Sequence, residues 1–367
     1  MKIGILTLPL VSNNGGILQA YALQKFLQKS GHEVVLLDRQ NPAPIFHREL
    51  RMIKNYILGK KFLKHGDYQK LNENPTQFIS KYISPKSPVL KTDNELCKFI
   101  DNRKLDAIVV GSDQVWRIEY SGKLKFNFFL DFKLKNNIKK VGYAASFGVD
   151  FWKHDPELTN KVGRLLEDFD AISVREKSGV KICENVFGVN AVQNIDPTLL
   201  LNKEHYIKLI DQEKEKRRDG ELFYYFLDET QSKLEIVERC SAMLKIKAYK
   251  SEKEFFKEIG QTVYRKSNTV TSWLRCFYDA EYVLTDSFHA CVFSIIFNKP
   301  FFVIGNVERG LARFESILEQ LDLRNRLILE EDEILEDVLR SAIDYEKVNK
   351  LIEEAKLRSK SFFDSIS

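Results

Sequence analysis

The sequence predicts an α/β protein with two Rossmann-like domains facing each other across a cleft. Three observations carry that expectation. The chain opens with a strand–helix–strand signal, and such βαβ units lay parallel strands side by side. The alternation pauses at Asn194–Asn202, around Asp196-Pro197, and then starts again. At 367 residues the chain also exceeds the ~250–300 residues that one hydrophobic core serves.

In order, Lys2–Leu8 reads as a buried strand and Ile17–Lys29 as a helix with Leu18, Tyr21, Ala22, Leu23 and Phe26 turned inward. Gly31 stops that helix, and Glu33–Asp38 is the next strand. A less regular, mostly helical insertion fills about 42–88. Asp106–Gly111, Lys139–Ala145 and Ala171–Val174 supply further strands, completing an N-terminal domain over 1–198. The C-terminal domain, 199–367, begins with strand Leu222–Leu227, helix Gln231–Leu244 and a short strand at Lys245–Tyr249. Helix Ser272–Ala280, strand Tyr282–Thr285, helix His289–Asn298 and strand Pro300–Ile304 follow. Leu311–Leu321 and the charged Asp332–Lys356 close the chain as helices.

Several function classes are disfavoured at once. No apolar run approaches the ~20 residues of a membrane span. The start, Met1 to Pro9, is too short and too β-like for a signal peptide. Cys97, Cys183, Cys240, Cys276 and Cys291 stand singly, so reduced thiols in the cytoplasm are the simplest account. A net charge of +5 is too small to argue for nucleic acid. It is concentrated in His47–Lys70, where Arg48, Arg51, Lys54, Lys60, Lys61, Lys64 and Lys70 face only Glu49 and Asp67. That stretch reads as a solvated surface helix, or as one that rests peripherally on an anionic membrane face or steers an anionic substrate. There is no HExxH, no Walker loop and no Cys or His ligand cluster, so no metal is expected. The Asp113, Asp196 and Asp286 carboxylates could hold a divalent ion, but strand-end Asp residues more often cap helices. The first turn is not GxGxxG, so no nicotinamide cofactor is expected.

The loops after the predicted strands carry the chemistry. Asn14-Gly15-Gly16 permits close backbone approach and offers an amide to a sugar or phosphate, although a plain tight turn fits the glycines equally well. Gly111-Ser112-Asp113-Gln114-Val115-Trp116 ends on an indole that either stacks on a sugar ring or plugs the domain edge. Ser146-Phe147-Gly148 ends its strand in the same manner. Arg175 follows Ile172–Val174, and its planar fork suits a carboxylate or phosphate; a surface position beside Glu176 is the alternative. Strand Tyr282–Thr285 runs into Asp286-Ser287-Phe288-His289 at a helix start, where free N–H donors suit an anion and a His can move protons. A capped helix with a buried His is the plainer reading. With Arg309 and Arg313 beyond the next strand, Arg175 and His289 would make an anion-seeking cleft.

Together, Asn14-Gly15-Gly16 with Leu18-Gln19-Ala20-Tyr21-Ala22-Leu23, Gly111 to Trp116, Tyr143 to Gly148, Ser173 to Glu176, Asp196-Pro197-Thr198 and Thr285 to His289 resemble the polysaccharide pyruvyl transferase family. The resemblance extends from Lys2 to about Leu329. It implies a GT-B-type pair of domains that moves the enolpyruvyl group of phosphoenolpyruvate onto a saccharide as a ketal, in surface polysaccharide biosynthesis. Phosphoenolpyruvate is then a donor substrate, with no cofactor. His289 and Arg175 match the family's functional His and strand-end Arg and are the expected catalytic residues. Asp286, Ser287, Arg309 and Arg313 are the expected donor contacts. Asn14, Gly15, Gly16, Gln19, Ser112, Asp113, Gln114, Trp116, Ser146 and Phe147 are expected to hold the acceptor from the N-terminal side. Active members often read Thr-Asp-Arg-Leu-His, so Ser287 departs from the pattern, and Arg309 or Arg313 is expected to supply the phosphate contact. The expected partner is a saccharide or lipid-linked oligosaccharide, at the inner face of the membrane if the basic segment docks there. A nucleotide-sugar glycosyltransferase on the same fold and a non-catalytic glycan-binding member are the alternatives.

Overall fold

The computed structural model describes residues 1–41, 63, 65–251, 254–259, 262–305, 310–329 and 336–366. Apolar runs buried on both faces form its strands, as parallel sheets covered by helices require. Lys2–Leu6 (β1), Glu33–Leu36 (β2), Ala107–Val110 (β3), Lys139–Ala145 (β4), Ala171–Val174 (β5) and Val192–Gln193 (β6) make one sheet, in the order β2-β1-β3-β4-β5-β6. Every pairing in it is parallel. The second half supplies Leu222–Tyr225 (β7), Ala248–Tyr249 (β8), Phe255–Ile259 (β9), Thr262–Arg265 (β10), Tyr282–Thr285 (β11), Phe301–Gly305 (β12) and Leu327–Leu329 (β13). Strands β9 and β10 form a separate antiparallel ribbon. The other five make a second parallel sheet, β13-β12-β11-β7-β8. Both sheets are therefore Rossmann-like, and the first reverses its strand order between β1 and β3. Ligands in such folds sit outside the carboxyl ends of the strands at that point.

The first helix starts at Asn14, earlier than Ile17, so the glycine pair lies in its first turn. The strand expected from Lys245 shrinks to β8, because Lys245 ends the preceding helix in a left-handed conformation (φ +58°). The charged closing segment divides into Glu336–Arg340 and Tyr345–Asp364; Asp344 accepts from the Lys347 N–H at 3.0 Å and starts a new helix. Residues 42–62, with most of the basic stretch, lie outside the described residues; helices His65–Leu71 and Glu73–Tyr82 occupy the rest of the insertion.

The last helix straddles both halves. Its Tyr345 hydroxyl donates to the Lys299 carbonyl beside the second sheet, while Phe363 packs on Tyr143 of the first sheet with ring centres 4.7 Å apart. One buried apolar cluster accordingly runs from Ile3 and Leu23 through Ile195, Leu199 and Tyr206 to Phe293 and Phe363. Among the described residues, no helix is long and apolar enough to cross a membrane, and no group of side chains is arranged to hold a metal ion.

Candidate functional site

The carboxyl edges of the two sheets meet at a seam, and the second sheet's side is built around the end of β11. Asp286 accepts from the backbone N–H groups of Leu227 (2.6 Å) and Asp228 (3.2 Å), and from Lys233 Nζ (2.8 Å). Lys233 and Asp286 are both buried, so this ion pair pins the loop after β7. Ser287 occupies the N-cap of helix Phe288–Ile296, yet its hydroxyl makes no capping bond. The helix therefore presents its first N–H groups uncapped by a side chain. Phe288 follows between two cations: the Arg175 guanidinium lies 4.2 Å and that of Arg313 5.9 Å from its ring centre.

On the first sheet's side, Arg175 leaves β5 buried. Its Nη1 donates to Asp196 Oδ2 at 2.8 Å and its Nε to Glu176 Oε1 at 3.3 Å. Asp196 Oδ1 accepts from the Thr198 N–H (3.0 Å) and hydroxyl (2.7 Å). Across the seam, His289 Nε2 stands 3.6 Å from Asp196 Oδ2, within ion-pair range but outside hydrogen-bond range. Burial alone would raise the Asp196 carboxyl; facing His289, Arg175 and Thr198 outweigh it and hold the group below the usual carboxylate range. Burial likewise opposes the Arg175 charge, but Glu176, Asp196 and Asp113 prevail and strengthen it. At Arg313 the same Glu176 and Asp113 compensate less, and burial followed by repulsion from Arg175 pushes its guanidinium down to about 10.

The first helix closes the seam from the other side. A Cβ on Gly15 would lie 2.2 Å from His289 Nδ1, so glycine is what lets this turn reach the imidazole. Gly16 lies beside Asp113, whose Oδ2 would be 3.4 Å from a Cβ there. Of the buried side-chain polar atoms with no hydrogen-bond partner among the described residues, five line this seam: Arg175 Nη2, Glu176 Oε2, His289 Nε2, Arg313 Nε and Asn14 Oδ1. Buried polar atoms are ordinarily paired, so their gathering along one seam marks where a polar ligand would be held.

The structure redistributes the expected acceptor residues. Asn14, Gly15, Gly16 and Asp113 border the seam, and Gln114 lies just beyond, its Oε1 accepting from Arg117 Nη1 at 3.2 Å. Gln19, Ser112, Trp116, Ser146 and Phe147 instead serve the frame. Gln19 donates to Thr7 Oγ1 and the Gly16 carbonyl and accepts from the Ser112 N–H, each at 3.0 Å. The Ser112 hydroxyl donates to the Ala144 carbonyl at 2.8 Å, and the Ser146 hydroxyl to Glu176 Oε1 at 2.5 Å. Trp116 is fully buried, its indole N–H donating to the Phe128 carbonyl and its ring stacked on Phe129, with Phe147 packed beside it. Its stacking on a sugar is thereby corrected to packing in the core. Arg309 lies outside the described residues. Glu176 and Lys233 are support residues that the sequence reading does not single out; Asp196 and Glu176 have local signals, in Asp196-Pro197-Thr198 and Ser173 to Glu176, and Lys233 has none.

A family model for polysaccharide pyruvyl transferase matches residues 13–308, from the turn before Gly15 to just past β12. The chain belongs to the polysaccharide pyruvyl transferase family. No curated protein matches the sequence. Among solved structures, Arabidopsis thaliana UGT89C1 complexed with UDP-L-rhamnose is similar at TM-score 0.53 and 11% identity, over 100% of this chain and 97% of that one. UDP-GlcNAc 2-epimerase from Neisseria meningitidis bound to UDP-GlcNAc gives TM-score 0.45 and 12% identity, over 98% and 100%. At such identities the likeness to UGT89C1 is one of fold. This pyruvyl transferase family member thus has a GT-B-type arrangement of two Rossmann-like sheets, with His289, Asp196 and Arg175 at the seam between them.

Proposed function

We propose that this family member transfers the enolpyruvyl group of phosphoenolpyruvate to a saccharide, forming a pyruvate ketal and releasing phosphate. The observation that carries the reading is the seam itself: unpartnered Arg175 Nη2 and Arg313 Nε beside His289 and an uncapped helix start. Phosphoenolpyruvate carries a carboxylate and a phosphate, and guanidinium groups with helix N–H donors suit both. C3 gains a proton and becomes a methyl carbon, leaving C2 with oxocarbenium character. One sugar hydroxyl adds to C2, the C2–O bond to phosphate breaks, and a second hydroxyl closes the ketal. The two hydroxyl protons balance the one gained at C3 and the one taken by phosphate.

In this scheme His289 passes protons, a role worth about 10²–10⁴ in rate. Asp196 faces the imidazole from 3.6 Å. Arg313, the less neutralised guanidinium, faces the leaving phosphate, while Arg175 offers its Nη2 group, which Asp196 and Glu176 leave unpartnered. The acceptor enters from the side of Asn14, Gly15, Gly16, Asp113 and Gln114. The fit between the two sheets excludes water from the activated enolpyruvyl group, whose hydrolysis would otherwise compete. The test is phosphate release from phosphoenolpyruvate with a panel of oligosaccharides, together with the proton NMR signal of a ketal methyl group. Release that depends on saccharide and is lost in His289→Ala supports the reading; turnover of a nucleotide sugar with no such release overturns it.

A further inference from the structure

Trp116 is unavailable to a sugar, yet exposed aromatic carbon stands close by. Tyr120 and Phe151 are 54% and 57% exposed, an unusual outlay for large rings in a chain that buries most of its aromatic side chains. Phe151 lines a recess of about 80 Å³ with Arg117, Glu119, Trp152 and His154. Tyr120 stands against the Arg117 guanidinium, 4.3 Å from ring centre to carbon. The Trp152 and His154 rings meet edge to face at 4.4 Å, and the Trp152 N–H is occupied by the Thr159 hydroxyl. Glu119 lies between Arg117 and His154, 3.8 Å from Arg117 Nε and 3.7 Å from His154 Nε2, but keeps its carboxylate in solvent. Arg117 Nε itself is buried with no hydrogen-bond partner among the described residues.

Aromatic faces beside a fixed carboxylate and an Arg are what a pyranose ring needs. Its C–H face packs on apolar ring carbon, and its hydroxyls donate to carboxylate and accept from guanidinium. The recess is shallow, so a ring rests across its mouth with one face in solvent. It also lies on the right side of the molecule. Arg117 bonds Gln114, Phe147 and Trp116 form the recess floor, and a Cβ on Gly310 would lie 3.2 Å from the Gly148 carbonyl, which brings the second half of the chain to this loop. We infer that Arg117, Glu119, Tyr120, Phe151, Trp152 and His154 form a saccharide subsite that seats a sugar ring of the acceptor next to the seam. The inference rests on the proposed saccharide acceptor and assigns it a place.

The probes are methyl glycosides of glucose, galactose, mannose and N-acetylglucosamine at millimolar concentration, followed by saturation-transfer NMR. Wild type is compared with Tyr120→Ala, Phe151→Ala and Phe151→Tyr, and each sample is melted with and without phosphoenolpyruvate. At least one glycoside is expected to receive saturation, with affinity falling on the order of tenfold in each alanine variant and returning in Phe151→Tyr. Unchanged glycoside binding in both alanine variants, or none of the four bound by wild type, overturns the subsite. The melts report separately on the donor: a missing phosphoenolpyruvate shift counts against pyruvyl transfer, whereas the glycoside pattern alone decides the subsite.

Discussion

The loops after β3 and β4 and the seam beside them are equally rich in polar residues, but those residues have different work left to do. In the loops, Ser112 and Ser146, with Gln19 of the first helix, spend their hydrogen-bonding capacity on neighbouring backbone and side chains, and Trp116 closes the core beneath them. In the seam, Arg175, His289 and Arg313 each keep a buried atom unpaired, and one Asp196 oxygen bonds Arg175 and faces His289. Polarity at a strand end therefore does not by itself make a ligand site. What sets the proposed site apart is unspent hydrogen-bonding capacity gathered in one place.

Substitutions can break or sharpen that contrast. The largest effect is expected from His289→Ala, which should lower kcat by about 10²–10⁴ while the melting temperature stays near that of wild type. A variant that simply unfolds would make the seam another piece of frame. Asp196→Asn comes next, because it removes one of the two carboxylates that neutralise the buried Arg175; urea unfolding should show a loss of about 1.5–3 kcal/mol. Its pH dependence has a fixed sign. The folded Asp196 carboxyl lies below its unfolded value, so the pair stabilises above about pH 4, and that contribution is lost as pH falls from there toward the folded value. The asparagine variant should thus lose stability less steeply than wild type below about pH 4.

Gly15→Ala drives a methyl group into the imidazole and should cost about 1–3 kcal/mol. His289→Ala should relieve much of that penalty, and a double-mutant cycle that came out additive would deny the contact. Smallest is Ser112→Ala, expected to cost about 1 kcal/mol with no change in phosphoenolpyruvate affinity. A clear loss of donor affinity there would erase the distinction between loop and seam.

Much of this was legible in the sequence, and the remainder was hidden for physical reasons. Tyr282–Thr285 and Ala171–Val174 are apolar runs ending in polar residues, so their strands and the positions of His289 and Arg175 could be read locally. Helix Asp93–Arg103 also had a local signal, the Thr92–Glu95 capping box, though no element had been assigned there. Strand β6 is two residues long and shows no periodicity. Lys233 reaches Asp286 across 53 positions of sequence, and Asp196 meets His289 only once the two halves dock. Trp116 presents the same letters whether it stacks on a sugar or fills a core; its burial is decided by Phe128, Phe129 and Phe147 around it.

The most direct test of the seam as the donor site is thermal stabilisation by phosphoenolpyruvate beside UDP, in wild type and Arg313→Ala. Phosphoenolpyruvate at about 100 times its Kd should stabilise wild type by about 2.7 kcal/mol, with the shift lost in the variant and absent with UDP. Stabilisation by UDP with none from phosphoenolpyruvate would contradict the account.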